Sequence, residues 1–563
     1  MLRSSLLLLF CQAEFLFVGA TFLIYSGAGR SGSFNLFDQA FLGFCVVTGF
    51  AQVWSIFNGL CPSSNYFLLC STIILAGMKW RRFVDLLSLG VRVTRIRSAL
   101  VLVPIGVAAA INSLTSGFCY DNALYHFLSV RWMAEYGSVP GLANLHGRLG
   151  FNSSLVALAG ILSVPFGINI GREFVNGATT VLVAGILSQG FRFEDWRALN
   201  VSRNLYAFGL LAFVLMLVLS PCLSSPQPDV ASAAVASASA WYFLMIVRFF
   251  NDDVHFGTNQ WLLCVFASVA TFEIKLSYFG FAASTILVAL VVAARRRMPF
   301  RQVCLRLLFV LVLVIPWICC GYITSGCPVF PSDFGRVNFD WAVPRQLATF
   351  ERDAVFAWAR APGLAPKEVL GNWKWLSPWI VRILSDTWAV KPLLLGMVGF
   401  LLFLGRLVMQ PPLQVERRWL VLLVPSAVGL LFWFLTAPDP RFAQAVLWVF
   451  ALNILLLPFQ ATNRARGLGI LATFALAILA SINAVVGSAR LIKEKKRIPN
   501  IVQSQNELFA RRTDSGLTVW TPKNAYEPGD SQLISTPSDR FNSRLELRGS
   551  SLHDGFRIRT PGG

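Results

Sequence analysis

The segment CYDNALYHFLSVRWMAEYG, residues 119–137, places an Asp, a His, an Arg, a Glu and three Tyr within nineteen positions between two long apolar stretches. Asp121 stands where the first apolar stretch ends and an amphipathic helix over about 121–136 is predicted to begin. A carboxylate there either accepts hydrogen bonds from free backbone N–H groups as an N-cap or removes a substrate proton as a general base. The sequence leaves both interpretations open. Arg131 and Glu135 have the i,i+4 spacing of a surface salt bridge.

A second polar group follows in GSVPGLANLHGRLGFNSS, residues 137–154, which brings Asn144, His146 and Arg148 just ahead of another apolar stretch. His126, inside the predicted helix, adds a further imidazole to the same region. Guanidinium groups bind phosphate through paired N–H donors, and imidazoles offer hydrogen bonds to phosphate or sugar groups. His126, His146 and Arg148 are therefore candidate substrate-binding residues.

Charged residues also stand at the ends of later apolar stretches: Asp229 in SSPQPD, Glu273 and Lys275 in FEIKLSY, and Asp439 and Arg441 in TAPDPRF. A charge in the membrane is costly, and insertion scales give about 2.5–3.5 kcal/mol for a central Lys or Asp. Structural pairing, for example of Asp229 with Lys275, would offset this cost. Convergence of these residues on one cavity would give them a function instead.

The composition predicts a membrane protein. The chain has 563 residues, of which 55% are hydrophobic and 13% charged, and its mean hydropathy is +0.61. Soluble chains carry about 25% charged residues. The net charge of +20 comes mostly from Lys and Arg in short loops beside apolar runs, which is typical of the positive-inside bias and not of nucleic-acid binding. The eleven Cys show no zinc-ligand spacing and are interpreted as buried small hydrophobic residues.

The pattern predicts an all-α polytopic membrane protein with about 13–14 transmembrane helices. Residues 1–488 form the transmembrane domain, and residues 489–563 form a small region with short strands at GLTVWTPK, SRLELRG and GFRIRT. The predicted spans are 5–25, 39–58, 66–79, 99–115, 173–191, 205–223, 230–248, 260–274, 277–294, 305–322, 393–409, 419–436, 441–459 and 467–488.

Lys and Arg in the loops predict the orientation. The basic segments predicted to be cytoplasmic are 79–98, 295–306, 415–419 and 463–466. They place the first loop (116–172), the second loop (323–392) and the tail from about 489 on the other, outer side of the membrane. Met1 falls on that side as well.

The apolar stretch 151–167 is predicted to lie in the membrane interface or to re-enter, without crossing. Pro165 and Gly167 end it after about four turns, which is short for a crossing. A crossing would also place the Arg-containing segment 191–204 on the periplasmic side, against the charge bias. The first loop thus contains two predicted helices, one amphipathic and one interfacial.

The second loop is predicted to contain an amphipathic helix over 344–363 and a Trp-rich interfacial helix over 372–388. Two interpretations fit these helices. They form a lid or acceptor platform above a cavity, or they pack at the headgroup level of the membrane.

An Asp at the start of the first large outer loop, followed by an amphipathic helix, a Pro-containing turn and an apolar interfacial helix, resembles the GT-C superfamily of integral-membrane glycosyltransferases. The first loop is also similar to that of an uncharacterised family of bacterial polytopic proteins, in which SPQPD, SGCPVFPSDFG, NFDWAVP and APDPRF recur. That similarity covers most of 100–560. The commoner GT-C loop has an Asp-Glu pair and a KPPLYYW-like segment, where this chain has Asp121-Asn122 and GRLGFNSS.

The GT-C resemblance implies sugar transfer from a polyprenyl-phosphate-linked donor to an envelope glycan or lipid acceptor. Such a reaction needs a base for the acceptor hydroxyl and cations for the departing phosphate. Asp121 is the candidate base, and Arg148, Lys275 and Arg441 are the candidate phosphate-binding residues.

Asp229 and Asp439 have three open roles: they orient these cations, bind sugar hydroxyls, or share a divalent metal with Asp121. The sequence contains no Gly-rich nucleotide loop and no Walker motif, which favours a lipid-linked donor over a soluble nucleotide sugar. The expected partners are the lipid bilayer, the polyprenyl-phosphate donor and the glycan or lipid acceptor, with no nucleic acid.

Two other functions fit the same residues. One is a glycan polymerase or ligase acting on lipid-linked oligosaccharides. The other is a lipid or solute transporter, which predicts inverted repeats and polar residues near the bilayer midplane. The sequence shows no such repeat, and its polar residues lie at span ends. Convergence of Asp121, Asp229, Lys275 and Arg441 on one outer cavity would favour the two enzymes.

Overall fold

The structure is a computed structural model. It describes residues 2–27, 34–60, 62–95, 99–114, 119, 121–163, 168–190, 198–248, 258–409, 417–459, 507–523 and 527–559. The predicted span 467–488 and the basic segment 463–466 lie outside the described residues.

Most of the described chain is α-helical. A π-helical turn at Asn122–His126 leads into α6. The helices are α1 (Leu2–Ser26), α2 (Leu36–Phe57), α3 (Pro62–Met78), α4 (Trp80–Val93), α5 (Leu102–Ser113), α6 (Phe127–Glu135), α7 (Ser154–Ser163), α8 (Ile168–Ser188), α9 (Ala198–Val218), α10 (Pro228–Arg248), α11 (Thr258–Ile274), α12 (Phe279–Arg295), α13 (Phe300–Ser325), α14 (Arg345–Arg360), α15 (Pro366–Val369), α16 (Leu376–Ser385), α17 (Thr387–Met409), α18 (Arg417–Thr436) and α19 (Gln444–Leu456).

Within the described residues, seven helices are long and apolar enough to cross a membrane, which indicates a multi-pass membrane protein. They are Ser4–Ser26, Leu36–Phe57, Pro228–Val247, Leu276–Arg295, Phe300–Ser325, Thr387–Val408 and Trp419–Thr436. Helices also occupy the other predicted spans that the structure describes. These helices are not both long enough and apolar enough to count as candidate membrane crossings. The number of about 13–14 crossings stays a prediction, because length and hydropathy alone do not separate a spanning helix from one buried in protein.

The first two helices cross at a pair of glycines. A Cβ atom on Gly19 would lie 1.8 Å from the carbonyl oxygen of Gln39, and one on Gly43 would lie 1.7 Å from that of Phe15. Only glycine permits so close an approach of two helix backbones. The far end of α2 then holds the first loop, since the backbone N–H of Ser138 donates to the carbonyl of Ser55 at 2.7 Å.

Helix α10 is the most buried of the seven candidate spans. Its sequence PDVASAAVASASAWYFLMIVR is rich in Ala and Ser, and these small side chains are buried against neighbouring helices. Small residues allow close helix packing in an apolar environment. The helix begins at Pro228 with Asp229 in its first turn, so a firmly packed element carries this carboxylate.

The apolar stretch predicted over 151–167 contains the ten-residue helix α7. Ten residues rise about 15 Å, half of the thickness of a hydrocarbon core of about 30 Å, so α7 by itself is too short to cross. Every side chain of α7 is buried inside the protein. An interfacial helix would expose one face to lipid, so this burial favours the re-entrant alternative over the interfacial one.

The tail forms two antiparallel hairpins, in which β1 (Leu508–Arg512) pairs with β2 (Thr518–Pro522) and β3 (Leu545–Leu547) pairs with β4 (Phe556–Ile558). Strands β2, β3 and β4 lie where the sequence predicts them. Strand β1, with the sequence LFARR, was not predicted because it lacks apolar–polar alternation, and four of its five side chains are exposed.

The tail packs on both loops. Val519, Leu545 and Phe556 form a hydrophobic cluster with Trp132 and other side chains of the first loop. The guanidinium of Arg548 pairs with Asp340 of the second loop at 2.8 Å. The two loops and the tail therefore meet at one end of the helix bundle, as the predicted orientation requires of segments on the same side.

We expect Phe556→Ala to release the tail from the first loop. Phe556 is fully buried and meets the Trp132 ring edge-on at 5.8 Å between centroids, and a buried Phe→Ala change costs about 3–5 kcal/mol. Trypsin should then cleave the Arg-rich tail faster while the helix bundle melts at an unchanged temperature. Phe509→Ala is the control, because Phe509 in β1 is 44% exposed. Equal cleavage of the Phe556 variant and the wild type would contradict this packing.

Candidate functional site

Asp121 is a buried carboxylate held by two arginines. Its Oδ1 lies 3.3 Å from Arg148 Nη1 and its Oδ2 lies 3.1 Å from Arg441 Nη1, and its side chain is 6% exposed. Its side chain makes no capping hydrogen bond to the described helix that follows it. The N-cap interpretation is therefore wrong, since both oxygens face guanidinium groups.

The two arginines lie in short 3₁₀ turns. Arg148 lies in the turn Gly147–Gly150, and Arg441 lies in the turn Pro440–Phe442 between α18 and α19. The Asp439 carboxylate caps the second turn by accepting from the backbone N–H of Arg441 at 3.1 Å, and it also lies 3.8 Å from Arg382 Nη1. Of the roles open for Asp439, the geometry shows an orienting one, exerted through the backbone of Arg441.

A disulfide fixes the start of the first loop. Cys119 is bonded to Cys222, which joins the chain two residues before Asp121 to the segment leading into α10. The interpretation of the cysteines as buried hydrophobic residues is wrong for this pair. Asn122 then accepts a hydrogen bond from the Ser225 hydroxyl, so Asp121 and the start of α10 are tied together twice.

Lys275 and Asp229 form an ion pair next to the arginines. Asp229 also accepts a hydrogen bond from the Gln227 side-chain amide. The Phe442 ring lies between the two cationic groups, with Lys275 Nζ 4.1 Å and the Arg441 guanidinium 5.0 Å from its centroid. The structure thus brings the Lys275–Asp229 pair and the Asp121–arginine cluster together.

Burial affects the protonation of the groups in the first loop. Desolvation by itself would raise the pKa of Asp121, but the Arg441 and Arg148 charges hold the pKa of this carboxyl below its usual value. Burial lowers the pKa of His126 to about 3, and burial and the Arg148 charge lower that of His146 well below its usual value. Both imidazoles are neutral at physiological pH. They offer hydrogen bonds to a substrate and no positive charge.

Two of the polar residues singled out in the first loop serve its packing. The Asn144 amide donates to the carbonyl of Trp341 at 2.8 Å, which joins the first loop to the second. His146 Nδ1 is buried without a hydrogen-bond partner among the described atoms. The predicted surface pair is present, with Arg131 Nε 2.7 Å from Glu135 Oε1.

No sequence pattern predicted that the tail covers the helical segment that follows Asp121. The backbone N–H of Gly529 donates to the carbonyl of Ala123 at 2.9 Å. Arg131 Nη1 donates to the Asp530 carbonyl at 2.6 Å, and the Trp132 indole donates to the Leu533 carbonyl at 3.1 Å. We call residues 529–533 the strap. Backbone carbonyls accept these hydrogen bonds, so no side-chain type in the strap predicts them.

Arg172 and Arg382 are further charged residues that the sequence did not single out. Arg172 pairs with Asp530 of the strap, and Arg382 on α16 is near Asp439. Each is a lone cation in an apolar helix. That signal marks the residue, but it does not reveal a partner that is distant along the chain.

The cluster does not fit a divalent metal. Each carboxylate oxygen of Asp121 already faces a guanidinium, and Asp229 faces the Lys275 ammonium. The described residues contain no group of three His, Cys, Asp or Glu side chains placed to hold a metal ion. Among the described residues, Arg148, Arg441 and Lys275 are each paired with one of these two carboxylates.

Asp121→Asn is expected to lower the free energy of unfolding by roughly 2–4 kcal/mol, because it leaves two arginines without a charged partner. This expected loss in the free energy of unfolding is smaller than that for breaking a fully buried ion pair, because the Arg441 side chain is 36% exposed. Glu135→Gln is the control on the same helix. It breaks only a partly exposed pair and should cost less than about 1 kcal/mol. Denaturant unfolding in detergent measures both, and an unchanged Asp121→Asn stability would contradict the importance of this carboxylate as the partner of the two arginines.

The lowered pKa of His126 predicts loss of stability in acid. The unfolded chain binds a proton at His126 below its ordinary pKa of about 6.5, whereas the folded chain does so only near pH 3, so stability falls as pH drops through this window. His126→Gln should remove about 2 kcal/mol of the loss between pH 7.5 and 5. The exposed His553→Gln serves as control. Identical pH dependence of melting in wild type and His126→Gln would refute the assignment.

The comparisons with known proteins give a family and no function. A family model described as a domain of unknown function, DUF8201, matches residues 1–448. Searches of curated proteins and of solved structures each found no match. The matched region contains Asp121, Arg148, Asp229, Lys275 and Arg441 and ends before the tail. Since it covers more than half of the 563 residues, the chain belongs to the DUF8201 family.

Proposed function

We propose that this protein is a GT-C-type membrane glycosyltransferase that moves a sugar from a polyprenyl-phosphate-linked donor to an envelope glycan or lipid acceptor, at the periplasmic face of a bacterial inner membrane. One observation carries the proposal. Arg148 and Arg441, from distant parts of the chain, converge on the Asp121 carboxylate beside the Lys275–Asp229 pair.

The arginines suit the donor phosphate. Guanidinium groups bind phosphate oxygens through paired N–H donors, and Lys275 adds a point charge nearby. In the structure the Asp121 carboxylate occupies the position between the two guanidiniums that the phosphate would take. The buried Nε of Arg441 has no hydrogen-bond partner among the described atoms, so this arginine retains a donor for a ligand.

Phosphate binding would also activate Asp121. While both arginines contact it, their charges depress the pKa of its carboxyl and make it a weak base. A phosphate that draws the guanidiniums away removes this effect, and the surrounding burial then favours protonation. The same exchange of partners therefore pairs the leaving phosphate with the two arginines and makes the Asp121 carboxylate available as the base.

The reaction follows as a single displacement. The acceptor hydroxyl oxygen attacks the sugar carbon that is bonded to phosphate, and its proton passes to Asp121. The bond from that carbon to the phosphate oxygen breaks, and the electron pair leaves with the phosphate, where Arg148, Arg441 and Lys275 stabilise the growing negative charge. One displacement inverts the configuration of the sugar carbon.

Two features support the periplasmic side. Disulfides persist in oxidising compartments such as the bacterial periplasm, and the Cys119–Cys222 bond adjoins the site. The loops and the tail, which the charge bias predicts to be periplasmic, contact one another around the same site.

The test is sugar transfer in nanodiscs supplied with radiolabelled polyprenyl-phosphate sugars and a membrane extract as acceptor. Asp121→Asn should lower turnover by about 10²-fold or more, since it removes the base. Arg441→Gln should weaken donor binding as well as turnover. Glu135→Gln is the acid control and Arg352→Gln the cation control, because both side chains lie on the surface away from the cluster.

Three outcomes would contradict the proposal. Near-normal turnover of Asp121→Asn would show that this carboxylate is not the base. Transfer of whole oligosaccharides with no transfer of single sugars would indicate a polymerase or ligase. Movement of the intact donor across the bilayer without transfer would indicate a transporter.

A further inference from the structure

Helix α4 (Trp80–Val93) has a surface unlike that of the helices around the site. Its sequence, WRRFVDLLSLGVRV, is amphipathic, and three of its residues, Phe83, Leu86 and Gly90, are buried. These three face the bundle, where the Gln39 side chain of α2 donates to the Leu86 carbonyl at 3.4 Å. The helix is thus attached along one face and leaves the rest of its circumference open.

The open surface of α4 has an apolar strip. Trp80 is 60% exposed, Val84 42% and Val91 48%. Their spacing of four and seven residues places them on one side of the helix. The strip continues the exposed apolar surface of α3, where Met78 is 73% exposed. In a multi-pass membrane protein such a surface is solvated by lipid.

The remaining open surface of α4 carries its arginines, together with Leu89 and Val93, which are 40% and 39% exposed. Arg81, Arg82 and Arg92 are all exposed, and Asp85 is the only acidic residue of the helix. Lys79 precedes the helix with its ammonium 3.7 Å from the centre of the Tyr25 ring at the end of α1. The basic surface therefore lies at an end of the bundle, where headgroups would be.

We infer that α4 is a binding site for anionic phospholipid headgroups. One side of the helix packs on protein, a second side carries the apolar strip and a third carries the arginines. This arrangement suits a helix that lies along a membrane surface. Its apolar strip enters the acyl region, and its arginines bind headgroup phosphates. This inference does not depend on the proposed transferase activity.

A second copy of the chain is a less suitable occupant of this surface. Two α4 helices facing each other would bring six arginines together against two aspartates, and like charges in contact repel. An anionic lipid surface supplies the opposite charge and also takes up the apolar strip.

The experiment titrates the purified protein, in uncharged detergent, with short-chain phosphatidylglycerol and with phosphatidylcholine of the same chain length, and follows thermal stability. Phosphatidylglycerol should stabilise the wild type and phosphatidylcholine should not. The variant Arg81→Gln/Arg82→Gln/Arg92→Gln should bind phosphatidylglycerol about a hundredfold more weakly, at about fivefold for each charge. High salt should weaken the wild-type effect in the same direction.

The matched control is Arg511→Gln/Arg512→Gln/Arg544→Gln, which removes three exposed arginines from the tail and should bind as the wild type does. All six arginines are exposed, so neither variant should unfold the protein, and melting without lipid checks this. Equal phosphatidylglycerol binding by the α4 variant and the control would overturn the inference. A lipid-insensitive dimer that Trp80→Ser dissociates would overturn it as well, since the strip would then bind a second copy.

Discussion

The placement of Asp121 between Arg148 and Arg441 is the interaction on which the rest of the site depends. The ion pair joins residues 320 positions apart and holds the loop after α18 against the first loop. Taking charges out of water costs several kcal/mol for each ion, and their mutual attraction offsets this only with good geometry. A cluster of this kind is therefore weak as a source of stability. The convergence of these charges is the observation from which we propose that the site binds a phosphate-bearing donor.

The surrounding fold keeps these charges in position. The disulfide at Cys119, the bond from Ser225 to Asn122 and the packed start of α10 fix one side of the cluster. The capped turn at Asp439 fixes the other. Most of these restraints act on backbone or on neighbouring residues, so they fix the Cα positions around Asp121 and Arg441.

Sequence patterns located the helices and the charged residues well, because a charge is conspicuous in an apolar context. The pairing of Asp229 with Lys275 could be predicted, because the two residues lie at the ends of neighbouring predicted spans. The partners of Asp121 could not be predicted, because no local signal connects it to Arg441. The helix α7 is as apolar as a span, and only its length and its burial on all sides show that it lies within protein.

The strap gives the chain a fixed order of assembly. Residues 529–533 hydrogen-bond to the helical segment that follows Asp121, and Asp530 stands 399 positions after its partner Arg131 in the chain. The helix bundle can insert into the membrane long before they emerge from the ribosome. The region around Asp121 is therefore complete only once residues 529–533 have been translated, and a chain terminated before them would carry the charged cluster without its cover.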